Sequence, residues 1–411
     1  MGLPWEQLFS GSEKRLRGSA IRDLLAVAAR PDVISFAGGL PAPELFPLDA
    51  VRESFDRVLT DDGAEALQYG ATEGYEPLRV YLAEQAGSRG IHVGPENVLV
   101  TTGSQQALLL LSLVLVHPGK GVMIESPSYI GALQAFSLYG PRYHPVAMDD
   151  DGIVVDAARD VLAQPGVRIQ LLYTVSTFQN PSGVTMTLPR REALLEAACR
   201  AGVPIVEDDP YGDLRYSGER IASFRALEGG EDSVYLGTFS KTLAPGLRLG
   251  FAIAPKQLIV KMGLAKQAAD LHTDSVAQRA LLDFCLHNDL AQHVAMLCDV
   301  YRERRDTMLA ALDRYFPSGC RWTRPSGGLF TWVTLPEGMD ATALLAEAVE
   351  QKVAFVPGES FFTDGSGANT LRLNFSHPQP AAIDAGIRRL GDLLRRRLPT
   401  AGGAFAATLA N

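Results

Sequence analysis

The chain has 411 residues, with a hydrophobic share of 46% and a charged share of 21%, and this composition excludes a disordered or fibrous protein. That length exceeds the roughly 250 to 300 residues one hydrophobic core sustains, so two domains are expected. A net charge of -9 without a long basic run argues against nucleic acid as a partner.

The N-terminal stretch "MGLPWEQLFSGSEKR" lacks a charged start followed by an apolar block, so no secretory leader is read and a cytoplasmic location is expected. Further on, "GGLPAPELFP" reads as a loop because glycine and proline dominate it. The most apolar run, "ALLLLSLVLV" at 107–116, is about half of the roughly 20 residues a bilayer requires, so it reads as a buried helix and no membrane partner is expected.

From about 97 to 255, short Val, Ile and Leu runs alternate with longer amphipathic stretches, the pattern of a parallel sheet covered by helices. The expected strands are "NVLVTT", "GVMIES", "RIQLLYTV", "PIVEDD", "SVYLGT" and "LRLGFAIA". A helix is expected over 188–202, with a proline near its start and a glycine at its end. The chain then turns helical from about 256 to 315. After it, "GGLFTWVTLP", "VAFVPGESFF" and "NTLRLNFS" read as strands around the helix "DATALLAEAVEQK", which predicts a smaller α+β domain. Cys199, Cys285, Cys298 and Cys320 stand far apart without a CxxC pair, so neither a metal site nor a disulfide framework is expected.

Ligands of open α/β sheets collect at the carboxyl ends of the strands, so the residues after each strand belong together. After "VLVTT" come Gly103, Ser104 and Gln105 at a helix start, where free N–H groups and the helix dipole favour a phosphate. Asn180 follows "RIQLLYTV", in an Asn-Pro turn, and Glu207, Asp208 and Asp209 close the apolar strand "PIV", just before Tyr211. A buried carboxylate there would keep a ring nitrogen protonated. In "GTFSKTLAPGLRLGF", Lys241 is flanked by Thr238 and Ser240 and followed by Arg248. A lysine becomes a nucleophile toward an aldehyde when desolvation or a neighbouring cation disfavours its ammonium form. A cofactor with an aldehyde, a phosphate and a ring nitrogen would use all of these groups, and pyridoxal phosphate has the three.

With these motifs in order, from "SAIRDLL" and "FAGGLPAPELFP" through "QYGATEGYEPLR", "FQNPSG" and "VEDDPYGDLRY" to "VPGESFF" and "NTLRLNFS", the chain resembles pyridoxal-phosphate-dependent aminotransferases of the aspartate aminotransferase fold. Within them it is most similar to the 2-aminoadipate and kynurenine aminotransferase branch. The resemblance implies an α/β fold: a three-layer α/β/α large domain with a mostly parallel sheet, plus a smaller α+β domain. It divides the chain into an N-terminal arm over 1–45 that also contributes to the small domain, a cofactor-binding domain over 46–300 and a small domain over 301–411.

The resemblance further implies that Lys241 holds the cofactor aldehyde covalently and that Asp208 pairs with the ring nitrogen. Asn180 and Tyr211 meet the ring hydroxyl, and Tyr129 stacks on the ring. Ser104, Gln105, Thr238, Ser240 and Arg248 hold the phosphate, which Tyr69 reaches from a neighbouring subunit, implying a homodimer. Arg372 clamps the substrate carboxylate bidentately, and Gly39 admits close backbone approach. Ser19 and Arg22 match a substrate-recognition helix. Ser176-Thr177 and Ser182 depart from the proline and threonine common in relatives, which bears on loop shape rather than chemistry. The implied reaction is a ping-pong transfer of an amino group from an L-amino acid to a 2-oxo acid such as 2-oxoglutarate. A decarboxylase or carbon–sulfur β-lyase on the same cofactor, and a cofactor-sensing regulator domain, are the alternative readings.

Overall fold

A computed structural model describes residues 3, 5–9, 13–15, 30 and 32–397. In chain order the strands are β1 (Ile34–Ser35), β2 (Val98–Thr101), β3 (Gly121–Ser126), β4 (Arg142–Asp149), β5 (Gly152–Ile153), β6 (Ile169–Thr174) and β7 (Ile205–Asp208). There follow β8 (Val234–Thr238), β9 (Gly250–Ile253), β10 (Arg321–Trp322), β11 (Phe330–Thr334), β12 (Val353–Ala354), β13 (Val356–Pro357) and β14 (Thr370–Asn374).

Eight of these form one sheet in the order β2-β9-β8-β7-β6-β3-β4-β5. From β8 to β4 neighbours run parallel. Parallel neighbours need crossovers, which place helices on the sheet faces and leave the strands buried on both sides. All six strands expected in this region are present. The run at 107–116 lies almost wholly within the helix Ser104–Leu115, and the helix Leu188–Ala201 ends on Gly202 in the left-handed region.

Two strands escape the pattern. β4, "RYHPVAMD", carries Pro145 and is mostly half-buried or exposed. Over Arg142–Ala147 it pairs only with β3, so its proline costs no ladder bond on the open side. β9 is antiparallel to both β2 and β8, an orientation that its apolar run does not encode.

Helices Lys256–Ala269, Ser275–His287 and Leu290–Tyr315 come next. The last leads into an antiparallel sheet ordered β10-β11-β14-β13, beside helices Ala341–Glu350 and Pro380–Arg397. At the front of the chain, β1 pairs in parallel with β12, Ile34 opposite Val353. One apolar core runs from Leu99, Leu171 and Leu236 of the large sheet through Tyr301 and Met308 of the long helix to Leu329 and Leu373 of the small sheet. Each such buried side chain contributes about 1.5 to 3 kcal/mol relative to exposure. Among the described residues no helix is long and apolar enough to cross a membrane.

Candidate active site

Strands β2, β3, β6, β7 and β8 point the same way, so their carboxyl ends share one rim of the sheet. Successive side chains of a strand face opposite sides, so Glu207 and Asp208 at the end of β7 part company. Asp208 is buried, and its Oδ2 accepts from the Tyr173 hydroxyl on β6 at 3.0 Å. Its Oδ1 has no partner among the described residues. Burial, opposed by the Tyr173 bond and reinforced by Asp209 and Glu125, raises its pKa from 3.8 to about 7.

Lys241 stands just beyond β8, where its Nζ donates to the Gly39 carbonyl at 2.8 Å. Burial, then the positive charges of Arg372 and Arg248, lower its pKa from 10.5 to about 8. Near neutral pH a sizeable fraction is therefore the free amine that attacks an aldehyde. The Phe330 ring accounts for glycine at 39: a Cβ there would lie 3.1 Å from Phe330 Cζ, tight against the ring.

Arg372, on β14, is buried and pairs with no carboxylate among the described residues. One of its terminal nitrogens donates to Asn180 Oδ1 and the other to the Ala37 carbonyl, both at 2.8 Å, while Nε is unpartnered. The Phe330 ring lies 4.2 Å from the guanidinium carbon and Phe361 5.2 Å, a cation–π environment in place of a counter-ion. Burial lowers its pKa to about 10, well above neutrality, so the charge persists. Asn180 Nδ2 in turn donates to the Tyr211 hydroxyl at 3.3 Å, linking the guanidinium to the rim of β7. Burial raises the pKa of Tyr129 to about 12, with the Asp208 charge adding to it, so both tyrosine hydroxyls keep their protons.

The helix Ser104–Leu115 begins at Gly103, whose φ of +74° suits glycine. A Cβ there would lie 2.6 Å from an Arg248 terminal nitrogen, and a Cβ at Gly250 would lie 2.7 Å from the Ser104 amide nitrogen. Two glycines thus let backbone and guanidinium crowd one helix start. Thr238 Oγ1 and Ser240 Oγ lie 2.9 Å apart nearby in the chain, at the end of β8, and Gln105 Nε2 donates to the Gly131 carbonyl. Arg248 donates to the Thr102 carbonyl at 3.3 Å. Thr102 is itself held, its amide donating to Gln106 Oε1 at 2.8 Å. That oxygen also accepts from the fully buried Lys266, whose ammonium meets both oxygens of Asp270 at 2.9 Å.

The sequence reading missed Lys266 and Asp270, Tyr173 and Glu125. Glu125 is buried on β3, accepting from Thr174 Oγ1, the Val175 amide and Gln179 Nε2, and burial raises its pKa to about 7. None carries a local motif, although Glu125 ends an apolar strand and that position could have flagged it. Tyr69 is 79% exposed and touches the His272 ring edge-on, so within one chain it reaches none of the groups above. Ser19 and Arg22 lie outside the described residues.

The arrangement fits pyridoxal phosphate: an orphaned buried carboxylate oxygen for the ring nitrogen, an amine of lowered basicity for the aldehyde, and a crowded helix start for the phosphate. These features define a pyridoxal-phosphate enzyme of the aspartate aminotransferase fold. The sequence model for aminotransferase class I and II matches residues 31–390, and the chain belongs to that family. It is 43% identical to aromatic-amino-acid aminotransferase 1 of Thermococcus litoralis, over 96% of each chain. It is 45% identical to the 2-aminoadipate transaminase of Thermus thermophilus, over 96% of this chain and 98% of that one. The crystal structure of an α-aminoadipate aminotransferase from Thermus thermophilus, complexed with N-(5'-phosphopyridoxyl)-L-leucine, superposes with a TM-score of 0.89 at 44% identity, covering 96% and 99% of the two chains. The protein is a pyridoxal-phosphate-dependent aminotransferase, acting on amino acids and 2-oxo acids.

Proposed function

We propose that the enzyme takes its amino group from 2-aminoadipate or a related acidic, aromatic or aliphatic L-amino acid and delivers it, by a ping-pong mechanism, to a 2-oxo acid such as 2-oxoglutarate. The relatives' names span acidic and aromatic donors, and the leucine adduct of one of them adds an aliphatic side chain. The observation that carries the reading is Arg372, a buried guanidinium without a carboxylate among the described residues and with a free Nε, ready for an α-carboxylate.

Lys241 holds the cofactor, Asp208 meets its ring nitrogen, Asn180 and Tyr211 its hydroxyl, and Tyr129 its face. Ser104, Gln105, Thr238, Ser240 and Arg248 receive the phosphate, with Tyr69 of a second copy, in a homodimer. When bound, the cofactor supplies an aldehyde for the amino group and a ring that accepts the electrons released at Cα. Arg372 fixes the substrate carboxylate, Gly39 leaves room beside it, and Lys241 Nζ, poised near neutrality, takes and returns the Cα proton. Asp208 stays ionised once a positive ring nitrogen faces its orphaned oxygen, reversing the effect of burial. Ser19 and Arg22 belong to the segment that reads the side chain. The division at residues 45 and 300, and a cytoplasmic location, complete the proposal.

The test is an absorbance titration of the holoenzyme with 2-aminoadipate, glutamate, leucine and kynurenine, with assays for 2-oxo acid, carbon dioxide and ammonia. Conversion of the cofactor spectrum with a matching amount of 2-oxo acid supports the proposal and ranks the donors. Carbon dioxide or ammonia appearing while the spectrum persists would overturn it.

A further inference from the structure

Apart from the groups assigned above, Thr177, Asp209, Gly212 and Ser223 line a small, partly open cavity whose wall carries four arginines. Their charges are unevenly matched. Arg191 spends itself on Glu207 at 3.1 Å, while Arg89 and Arg220 share Asp213. Asp209, also in the wall, already accepts from the Gly212 amide at 2.9 Å and the Tyr235 hydroxyl at 3.0 Å. Arg215 is left over. It makes no ion pair and no side-chain hydrogen bond among the described residues, and its Nε is sealed from solvent. Its guanidinium lies 4.6 Å above the Phe178 ring. Burial, followed by the repulsion of Arg220 and Arg191, lowers its pKa against the smaller opposing pull of Asp209. A second donor in the same wall, the Ser223 hydroxyl, is likewise sealed and unpartnered.

We infer that this cavity binds a small monovalent anion of chloride size, held by Arg215 and Ser223. Sealed donors of this kind are costly to leave unmatched, so an acceptor belongs among them. Size selects which: the cavity measures about 30 Å³, room for roughly two water-sized particles. That room suits a halide better than phosphate or sulfate. By holding Arg215, whose guanidinium lies over Phe178, the anion fixes the segment after Tyr211 against Ser223 and, through that ring, against the segment that carries Asn180. Its role is a staple between the two loops that present the site.

The test uses the holoenzyme with bromide in place of chloride. An anomalous bromide peak between Arg215 and Ser223 in crystals, absent from Arg215→Gln, is the expected result. In solution at constant ionic strength, raising chloride from about 5 to about 100 mM should raise the unfolding midpoint by about 2 °C in a saturable way, and Arg215→Gln should lose that response. If that variant does not fold, Ser223→Ala, which keeps the charge, should weaken the response. No bromide peak in the wild-type protein would overturn the inference and assign the cavity to water, and so would a midpoint response that Arg215→Gln or Ser223→Ala retains in full.

Discussion

Glu207 and Asp208 are neighbours on one strand, equally buried, and they lead opposite lives. Glu207 is saturated: Arg191, the Ser176 hydroxyl and the Phe224 amide all bond it. Arg191 adds the carbonyls of Met186, Ala222 and Ser176 and the hydroxyl of Thr177, so the whole cluster is closed. Asp208 has one bond and one bare oxygen. The same contrast separates Arg191 from Arg372, which keeps a free Nε. Burial by itself therefore does not mark function here. At Asp208 and Arg372 an unfinished hydrogen-bond set goes with a place on the strand rim, and the missing partner is read as the ligand.

The largest effect expected from breaking this contrast is at Lys241. Lys241→Ala should lower kcat by at least about 10⁴-fold, since it removes both the covalent hold and the proton carrier. Mass spectrometry after borohydride reduction should show no cofactor attached to the chain, and attachment at another lysine would refute the assignment. Next, Arg372→Lys should raise KM for the amino donor by about 10- to 100-fold, with a smaller change in kcat, because a point charge cannot form the fork. Equal loss in both constants would place Arg372 elsewhere in the cycle.

The two carboxylates sharpen the comparison through stability. Glu207→Gln should destabilise the protein by about 3 kcal/mol, since it leaves Arg191 buried without its charge partner, while kcat of the folded fraction stays near wild type. For Asp208 the sign reverses. Its folded pKa is raised to about 7, so the cofactor-free protein keeps a proton that the unfolded chain has lost and becomes less stable as pH climbs from about 4 to about 7. Asp208→Asn should remove the Asp208 share of that slope and leave the share of Glu125, making the cofactor-free variant more stable than wild type at pH 8 by up to about 4 kcal/mol, with turnover sharply reduced. Chemical denaturation at pH 5 and pH 8 checks both variants, and a less stable Asp208→Asn at pH 8 would contradict the raised pKa. The smallest effect belongs to Lys266→Met, which loosens Thr102 and should weaken cofactor binding about tenfold, read by equilibrium dialysis.

Much of this was legible in the sequence for a physical reason: apolar runs report buried strands, and the residues just after those runs report the rim. Lys241, Asp208, Asn180 and Arg248 follow from that rule. The edge strand β4 does not, because a half-buried strand with a proline lacks the signature, and the reversed direction of β9 is a matter of topology. Tyr173 and Lys266 were invisible since their meaning lies in partners at remote positions: Asp208 is 35 residues from Tyr173, and Gln106 is 160 from Lys266. Composition gives no sign of the closed Glu207–Arg191 cluster either. There the acidic triplet pointed to one buried carboxylate, and the structure buries two of its three members.

The two bonds at the back of the substrate position join distant parts of the chain, Gly39 to Lys241 across 202 residues and Ala37 to Arg372 across 335. Closing loops of that length costs chain entropy before the contact rewards it, so such contacts are expected to form late. With β1 laid against β12, the segment that carries Ala37 and Gly39 cannot take its place until β12 has been synthesised. The active site thus doubles as a check on both halves of the chain: without β12 to seat the segment of Ala37 and Gly39, the carbonyls that orient Lys241 and Arg372 have no fixed place.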